Sequence, residues 1–182
     1  MTVVRLVRHG RAAAGFSADH DPGLDDLGRA QAAAMAAVLA PLGPLPIVVS
    51  PLRRTRETAA ALEDVWSVAA EVDHRVAEIP SPTDDLEARG RWLSRAMAGT
   101  WTDLGPTYLD WRDVLVDAVL ALDTDTVVVS HFVAINALVG RAIGDDRVMH
   151  APVDNCSITT LETTGGRLVV TEIGRTAVTE IR

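Results

Sequence analysis

Three short runs rich in β-branched residues, Val3-Val4-Arg5-Leu6-Val7, Ile47-Val48-Val49 and Val127-Val128-Val129, punctuate a chain whose intervening stretches read as helices. Runs of this length are too short for buried helices, and as near-continuous apolar segments they suit strands covered on both faces. Strands that alternate with helices pair in parallel, because a parallel neighbour needs a long crossover. The expected fold class is therefore α/β, a three-layer α/β/α sandwich around a mainly parallel central sheet. At 182 residues the chain is the length of one domain with a substantial core, and a single domain over 1–182 is expected.

The local signals fill in this frame. Residues 2–7 read as the first strand, and Asp25 as the N-cap of a helix over 26–40 whose Leu27, Ala30, Ala34 and Val38 share a face. Pro41, Gly43, Pro44 and Pro46 end that helix before the strand at 47–49. A second helix opens at Ser50 or Pro51 and carries Arg53, Arg54, Arg56 and Glu57. Val72 to Val76 reads as a strand, and Pro80 and Pro82 force a loop. Asp84 with Glu87 fits a capping box for a helix over 85–98, and another helix should follow Gly105-Pro106 over 107–122. A strand at 126–130 leads into a helix over 132–143. Ser157 to Leu161 and Leu168 to Ile173 form a hairpin around Gly165-Gly166.

Composition excludes several kinds of function. All 17 basic residues are arginine, so Schiff-base, P-loop-lysine and pyridoxal chemistry are ruled out. The net charge of −8 argues against nucleic acid or an anionic membrane as partner. A single cysteine, Cys156, forms no intrachain disulfide and is too little for a cysteine-rich zinc site. The chain enters its first strand without a signal pattern and holds no apolar stretch of the roughly 18 residues that span a bilayer. A cytoplasmic protein is expected.

The chemistry gathers at strand ends. Arg8-His9-Gly10 follows the first strand and Ser130-His131 closes the strand at 126–130, at the carboxyl edge where open α/β sheets hold ligands. A neutral imidazole attacks phosphorus, and a neighbouring guanidinium favours the neutral ring by repulsion. Arg8 can also grip phosphate oxygens, and Gly10 leaves room for an oxyanion against the backbone. The junction Ser50-Pro51-Leu52-Arg53-Arg54-Thr55-Arg56-Glu57-Thr58-Ala59 adds a helix N-terminus, itself favourable to anions, although its periodicity does not choose among its arginines.

Taken together, these segments resemble the histidine phosphatase superfamily, in its phosphoglycerate-mutase-like branch. Val4 to Gly10 is similar to the opening strand and signature. Leu24-Asp25-Asp26-Leu27-Gly28-Arg29-Ala30-Gln31-Ala32 is similar to the first helix. Ser50 to Ala59 is similar to the Ser-Pro-Leu segment, Val127 to Leu138 to the second-histidine strand and helix, and Asp154-Asn155-Cys156-Ser157-Ile158 to the loop and strand beyond. The resemblance implies a metal-independent phosphomonoester hydrolase that needs no cofactor and acts on a small phosphorylated metabolite. His9 would be the nucleophile that becomes phosphohistidine. Arg8, Arg54 and His131 would clamp the phosphoryl group, with Gly10 and the Phe132 N–H as further phosphate contacts. Glu78 would serve as general acid and then general base.

Several positions depart from the family pattern. Arg11, Ala12 and Gly15 stand where many members carry Glu, Thr and Asn, with Ser17 as a substitute contact. Phe132 and Asn136 replace a common glycine and arginine, and Ile-Pro-Ser-Pro follows Glu78. Substrate recognition is thus expected to be the chain's own, set by a lid over about 80–106. Trp66, Trp92, Trp101 and Trp111 pack helices, or Trp92 and Trp101 wall the cleft. His20, His74 and His150 lack metal-ligand spacing and read as surface groups, with His150 preceding a loop that can reach the pocket. Asp84-Asp85 reads as a cap and Asp145-Asp146 as a solvated turn. A phosphoglycerate-mutase-type transfer, a phosphohistidine-protein phosphatase and a non-catalytic phospholigand-binding protein are the alternatives.

Overall fold

The computed structural model describes residues 1–176. In chain order the elements are β1 (Thr2–Arg8), α1 (Asp26–Leu39), β2 (Ile47–Val49), α2 (Arg53–Trp66), β3 (Glu71–Val72), α3 (Leu86–Met97), α4 (Trp101–Leu104), α5 (Pro106–Leu120), β4 (Thr126–Ser130), α6 (Phe132–Ile143), β5 (Ile158–Thr164) and β6 (Arg167–Glu172). The strands form one sheet in the order β3-β2-β4-β1-β5-β6. β3, β2, β4 and β1 run parallel, while β5 and β6 are antiparallel additions at one edge. The α/β/α sandwich with a mainly parallel sheet is what the alternating pattern predicts.

The period-2 geometry of the central strands divides the core into two halves. Val128 faces the side filled by α5 and α6, with Leu115, Val119, Ile135 and Leu138. Its neighbours Val127 and Val129 face α1 and α2, with Met35, Leu39, Ala59 and Leu62. Every residue of β4 is buried. At roughly 1.5–3 kcal/mol for each fully buried valine, this strand anchors both halves.

Local chemistry sets the helix ends. Asp25 caps α1 by accepting from the Gly28 N–H at 2.7 Å, and Pro41 sits in the 3-10 turn that ends the helix. Gly28 is glycine for a different reason: a Cβ there would run into the Arg11 carbonyl, and one on Gly10 would strike the Gly28 carbonyl at 2.5 Å. The loop after β1 and the start of α1 thus touch backbone to backbone, which no side chain permits. In the terminal hairpin Gly165 and Gly166 have φ of 54° and 72°, the paired left-handed conformation of a two-residue turn.

Some local expectations are corrected. Val72 to Val76 is not one strand, because β3 stops at Val72 and Asp73 accepts from the Arg75 N–H to start a 3-10 turn. The cap of α3 is Asp85, which accepts from the Ala88 N–H at 2.7 Å, so Asp84 with Glu87 is not a capping box. α2 begins at Arg53, with Leu52 as its N-cap. α5 spans Pro106–Leu120, and the segment 80–106 holds α3 and the short α4. Trp101 is buried and stacked on Trp111 with ring centroids 5.7 Å apart, so it belongs to the core and not to a cleft wall. Trp92 lies against Tyr108 at 5.4 Å. Among the described residues no helix is long and apolar enough to cross a membrane.

Candidate active site

β1 and β4 are neighbours in register, with Arg8 opposite Ser130. The residue that follows each strand is a histidine, so sheet pairing alone sets His9 beside His131. The His9 N–H donates to the Ser130 carbonyl at 3.0 Å, and the two rings meet edge to face with centroids 5.3 Å apart. β2 flanks β4 on its other side and delivers Ser50 to the same edge, where its N–H donates to the Val129 carbonyl.

Arg54, the second residue of α2, is buried and reaches between the rings. Its Nε donates to His9 Nε2 at 3.2 Å and its NH2 group to His131 Nδ1 at 3.1 Å. Arg53 and Arg56 point outward, and the Arg53 Nε pairs with Glu57 at 2.7 Å. The choice of Arg54, which periodicity leaves open, follows from which face of α2 meets the sheet edge.

These contacts assign both tautomers, because a guanidinium donates only. His9 Nε2 must therefore accept, and its Nδ1–H faces the Gly10 carbonyl at 2.7 Å. His131 Nδ1 must accept, and its Nε2–H donates to Ser50 Oγ at 2.7 Å. Burial first, and then the charges of Arg54 and Arg8, hold His9 well below the ordinary imidazole range. Burial and Arg54 do the same for His131, with His9 and Arg8 adding to it. Both rings are neutral at neutral pH.

Arg8 is half-buried. Its NH1 donates to the Val153 carbonyl at 2.7 Å, its guanidinium lies 5.0 Å over the Phe132 ring, and its Nε is buried without a partner among the described residues. Phe132 occupies the first turn of α6, with His131 as N-cap. The Glu78 carboxylate sits against the same helix start. It accepts from the Val133 and Ala134 N–H groups, each at 3.2 Å, and from the Ile79 N–H at 3.0 Å. Burial raises the Glu78 carboxyl above the ordinary range, outweighing these hydrogen bonds and Arg54, which pull it down. His9, Arg8, Arg54, His131 and Glu78 thus converge on one sheet edge.

Gly10 has another task than the one expected of it. Its N–H donates to Thr58 Oγ1 at 3.0 Å, and the space beside its Cα is taken by Gly28, so no oxyanion rests there. Arg11 is committed to α1: its Nε donates to Asp25 and its N–H to Gln31. Ser17 packs against Gly90 of α3. His74 is exposed in the 3-10 turn. His150 lies against Gly140 with Nδ1 3.9 Å from Asp145. Gly140 is nine residues beyond His131, about 13 Å along α6 at 1.5 Å per residue, so His150 is at the far end from the cleft. Asn136 also turns away from the cleft, spending its amide on the Phe132 and Ala151 carbonyls and the His150 and Ala151 N–H groups.

Three residues that the sequence reading gives no role at the site belong to it. Ser50 orients His131, Asn155 donates to the His9 carbonyl at 2.8 Å, and His20 lines the cleft. The strand-end position of Ser50, like that of the histidines, is the signal that could have found it.

The chain matches the histidine phosphatase superfamily (branch 1) over residues 4–176. It is 45% identical over 84 residues to a glucosyl-3-phosphoglycerate phosphatase of Mycolicibacterium vanbaalenii, a stretch that is 43% of this chain and 37% of that relative. The match therefore spans little more than a third of that protein's length. Among solved structures, the mycobacterial glucosyl-3-phosphoglycerate phosphatase complexed with VO3 superposes with a TM-score of 0.71 at 25% identity, covering 94% of this chain and 98% of that one. YhfR of Bacillus stearothermophilus shares the fold with a TM-score of 0.79 at 20% identity, over 97% of this chain and 98% of that one.

Proposed function

Because the chain belongs to the histidine phosphatase superfamily, we propose that it hydrolyses a small phosphomonoester through a phosphohistidine on His9. The observation that carries this reading is the tautomer of His9. With Nδ1–H engaged by the Gly10 carbonyl, the Nε2 lone pair points at Arg54 and shares a cleft edge with His131. A neutral, oriented imidazole facing cations is a nucleophile prepared for a phosphate dianion. The names of the relatives agree with a phosphatase acting on small phosphorylated compounds.

In the first step the substrate's phosphoryl oxygens take over the N–H groups that Arg54 turns toward the two rings, with Arg8 as the second cation. His9 Nε2 bonds to phosphorus, the P–O ester bond breaks, and Glu78 gives its proton to the departing oxygen. Nδ1–H remains on Gly10, so the phosphorylated ring is cationic and leaves readily. In the second step ionised Glu78 takes a proton from water, the water oxygen bonds to phosphorus, and the P–N bond breaks. The two arginines stabilise charge on the three equatorial oxygens, where most of the rate arises. The raised Glu78 carboxyl suits a group that must be acid first and base second.

The test is hydrolysis of 4-nitrophenyl phosphate with a chelator present, followed by an alkaline quench of enzyme mixed with radiolabelled substrate. Wild type should turn over and trap label, and His9→Ala should do neither. Normal turnover by His9→Ala would end the proposal.

A further inference from the structure

The two arginines of the clamp are held in different ways. Arg54 is fixed between the two rings through its Nε and its NH2 group. Arg8 has the strand parity of Val4 and Leu6, so its side chain leaves β1 on the face that α6 covers. Two contacts hold its guanidinium among the described residues. NH1 donates to the Val153 carbonyl at 2.7 Å, and the group lies 5.0 Å from the centroid of the Phe132 ring. Its Nε is buried and makes no hydrogen bond there. Glu78 and Asp154 are the carboxylates whose charge reaches Arg8, and among the described residues neither forms an ion pair with it. The guanidinium is therefore oriented by a neutral carbonyl and a ring face, with its charge left uncompensated at contact distance.

We propose that Phe132 is a positioning residue for phosphate binding, whose ring orients the Arg8 guanidinium and leaves its charge to the phosphoryl group. This rests on the phosphatase reading and adds a residue to its binding machinery. A single hydrogen bond to Val153 lets the guanidinium pivot, and a ring face against it removes that freedom. A carboxylate would orient the arginine as firmly, but it would also neutralise it and compete with phosphate for the same N–H groups. The ring attracts the cation and competes for none of them. Phe132 is itself fixed, being 7% exposed and packed in the core with Val133 and Val153. Strand register explains why this position does the work. Arg8 lies opposite Ser130, so the chain passes through His131 and enters α6 beside Arg8, with residue 132 as the first of the helix. A small residue at 132 would leave Arg8 the carbonyl alone.

Fluorination of the ring tests this without reshaping the core. Phenylalanine analogues with one, two and three ring fluorines, incorporated at position 132, drain the negative ring face stepwise at nearly constant volume. Binding of inorganic phosphate, followed by calorimetry, should weaken with each fluorine. Phe132→Leu removes the face outright and should weaken it by about 2- to 12-fold, the cost of ordering one long side chain on binding. KM for 4-nitrophenyl phosphate should rise by the same factor while kcat changes by less than about twofold, because the loss falls on ground and transition states alike. In an Arg8→Met background Phe132→Leu should no longer alter phosphate affinity, since the ring acts through the arginine. A phosphate affinity indifferent to fluorination, or a Phe132→Leu loss that persists in Arg8→Met, would overturn the role and leave the phosphatase reading standing. A graded loss of phosphate affinity in a protein that hydrolyses no phosphomonoester would support the role and refute the phosphatase reading.

Discussion

Two neutral imidazoles held beside arginines make stability fall steeply on mild acidification. In the unfolded chain each ring titrates near 6.5, while in the folded protein burial and Arg54 keep His9 and His131 neutral well below that value. Between those limits the unfolded chain binds more protons, so stability is full above 6.5 and is lost as the pH falls through it. The unfolded titration bounds each ring's loss at about 0.2 kcal/mol at pH 7 and about 1.4 kcal/mol at pH 5.5, a difference of at most about 2.5 kcal/mol for the pair. Asp25, Glu57, Asp73 and Asp146 are all held below the ordinary carboxylate range and Asp145 at about 2, so their contributions are lost at lower pH than this window. Glu78 acts in the opposite sense: its raised carboxyl takes up a proton first in the folded state and adds stability on acidification. The measurement is therefore made in Glu78→Gln by urea unfolding at pH 7.0 and 5.5. With a slope of about 2 kcal/mol/M the midpoint should drop, by up to about 1.2 M. The same shift in a variant that also carries His9→Asn and His131→Asn, or a midpoint that does not move, would refute the neutral-pair reasoning.

Glu78→Gln separates acid catalysis from binding. Hydrolysis of an alkyl phosphate, whose leaving oxygen needs a proton, should slow by about 10²–10⁴, while 4-nitrophenyl phosphate, with its good leaving group, should lose far less. Equal losses on both would show that Glu78 does not donate to the leaving oxygen. Gly28→Ala places a Cβ against the Arg11 carbonyl, backbone that cannot rotate aside, and should cost about 1–3 kcal/mol. At about 2–4 °C per kcal/mol for a chain of this size, a thermal melt should register a drop of roughly 2–12 °C, and an unchanged melting temperature would discount that contact.

Patterning within a few residues was enough to define most of the elements. β1, β2, β4 and the terminal hairpin follow from β-branched runs and a Gly-Gly turn, and α1 from a capping aspartate. Such signals act between chain neighbours, so the sequence carries them openly. The strand at Val72 to Val76 was misjudged because Asp73 bends the chain through its own side chain, a contact that competes with the sheet. The site was legible as a set of strand-end residues and a family resemblance, with Gly10 given the wrong task.

What the sequence by itself determined is therefore the sandwich and the delivery of His9 and His131 to strand ends. Only the tertiary structure decided that β1 pairs with β4, so that residues 122 apart in the chain become neighbours with interacting rings. It also decided which arginine of α2 turns inward, which ring nitrogen holds a proton, and that His20 meets Arg89 in the cleft while His150 is carried to the far end of α6. The physical reason is range. Helix caps and alternation act over one turn or one pleat, whereas a tautomer or a cation's partner depends on hydrogen bonds that exist only once distant strands and helices have packed.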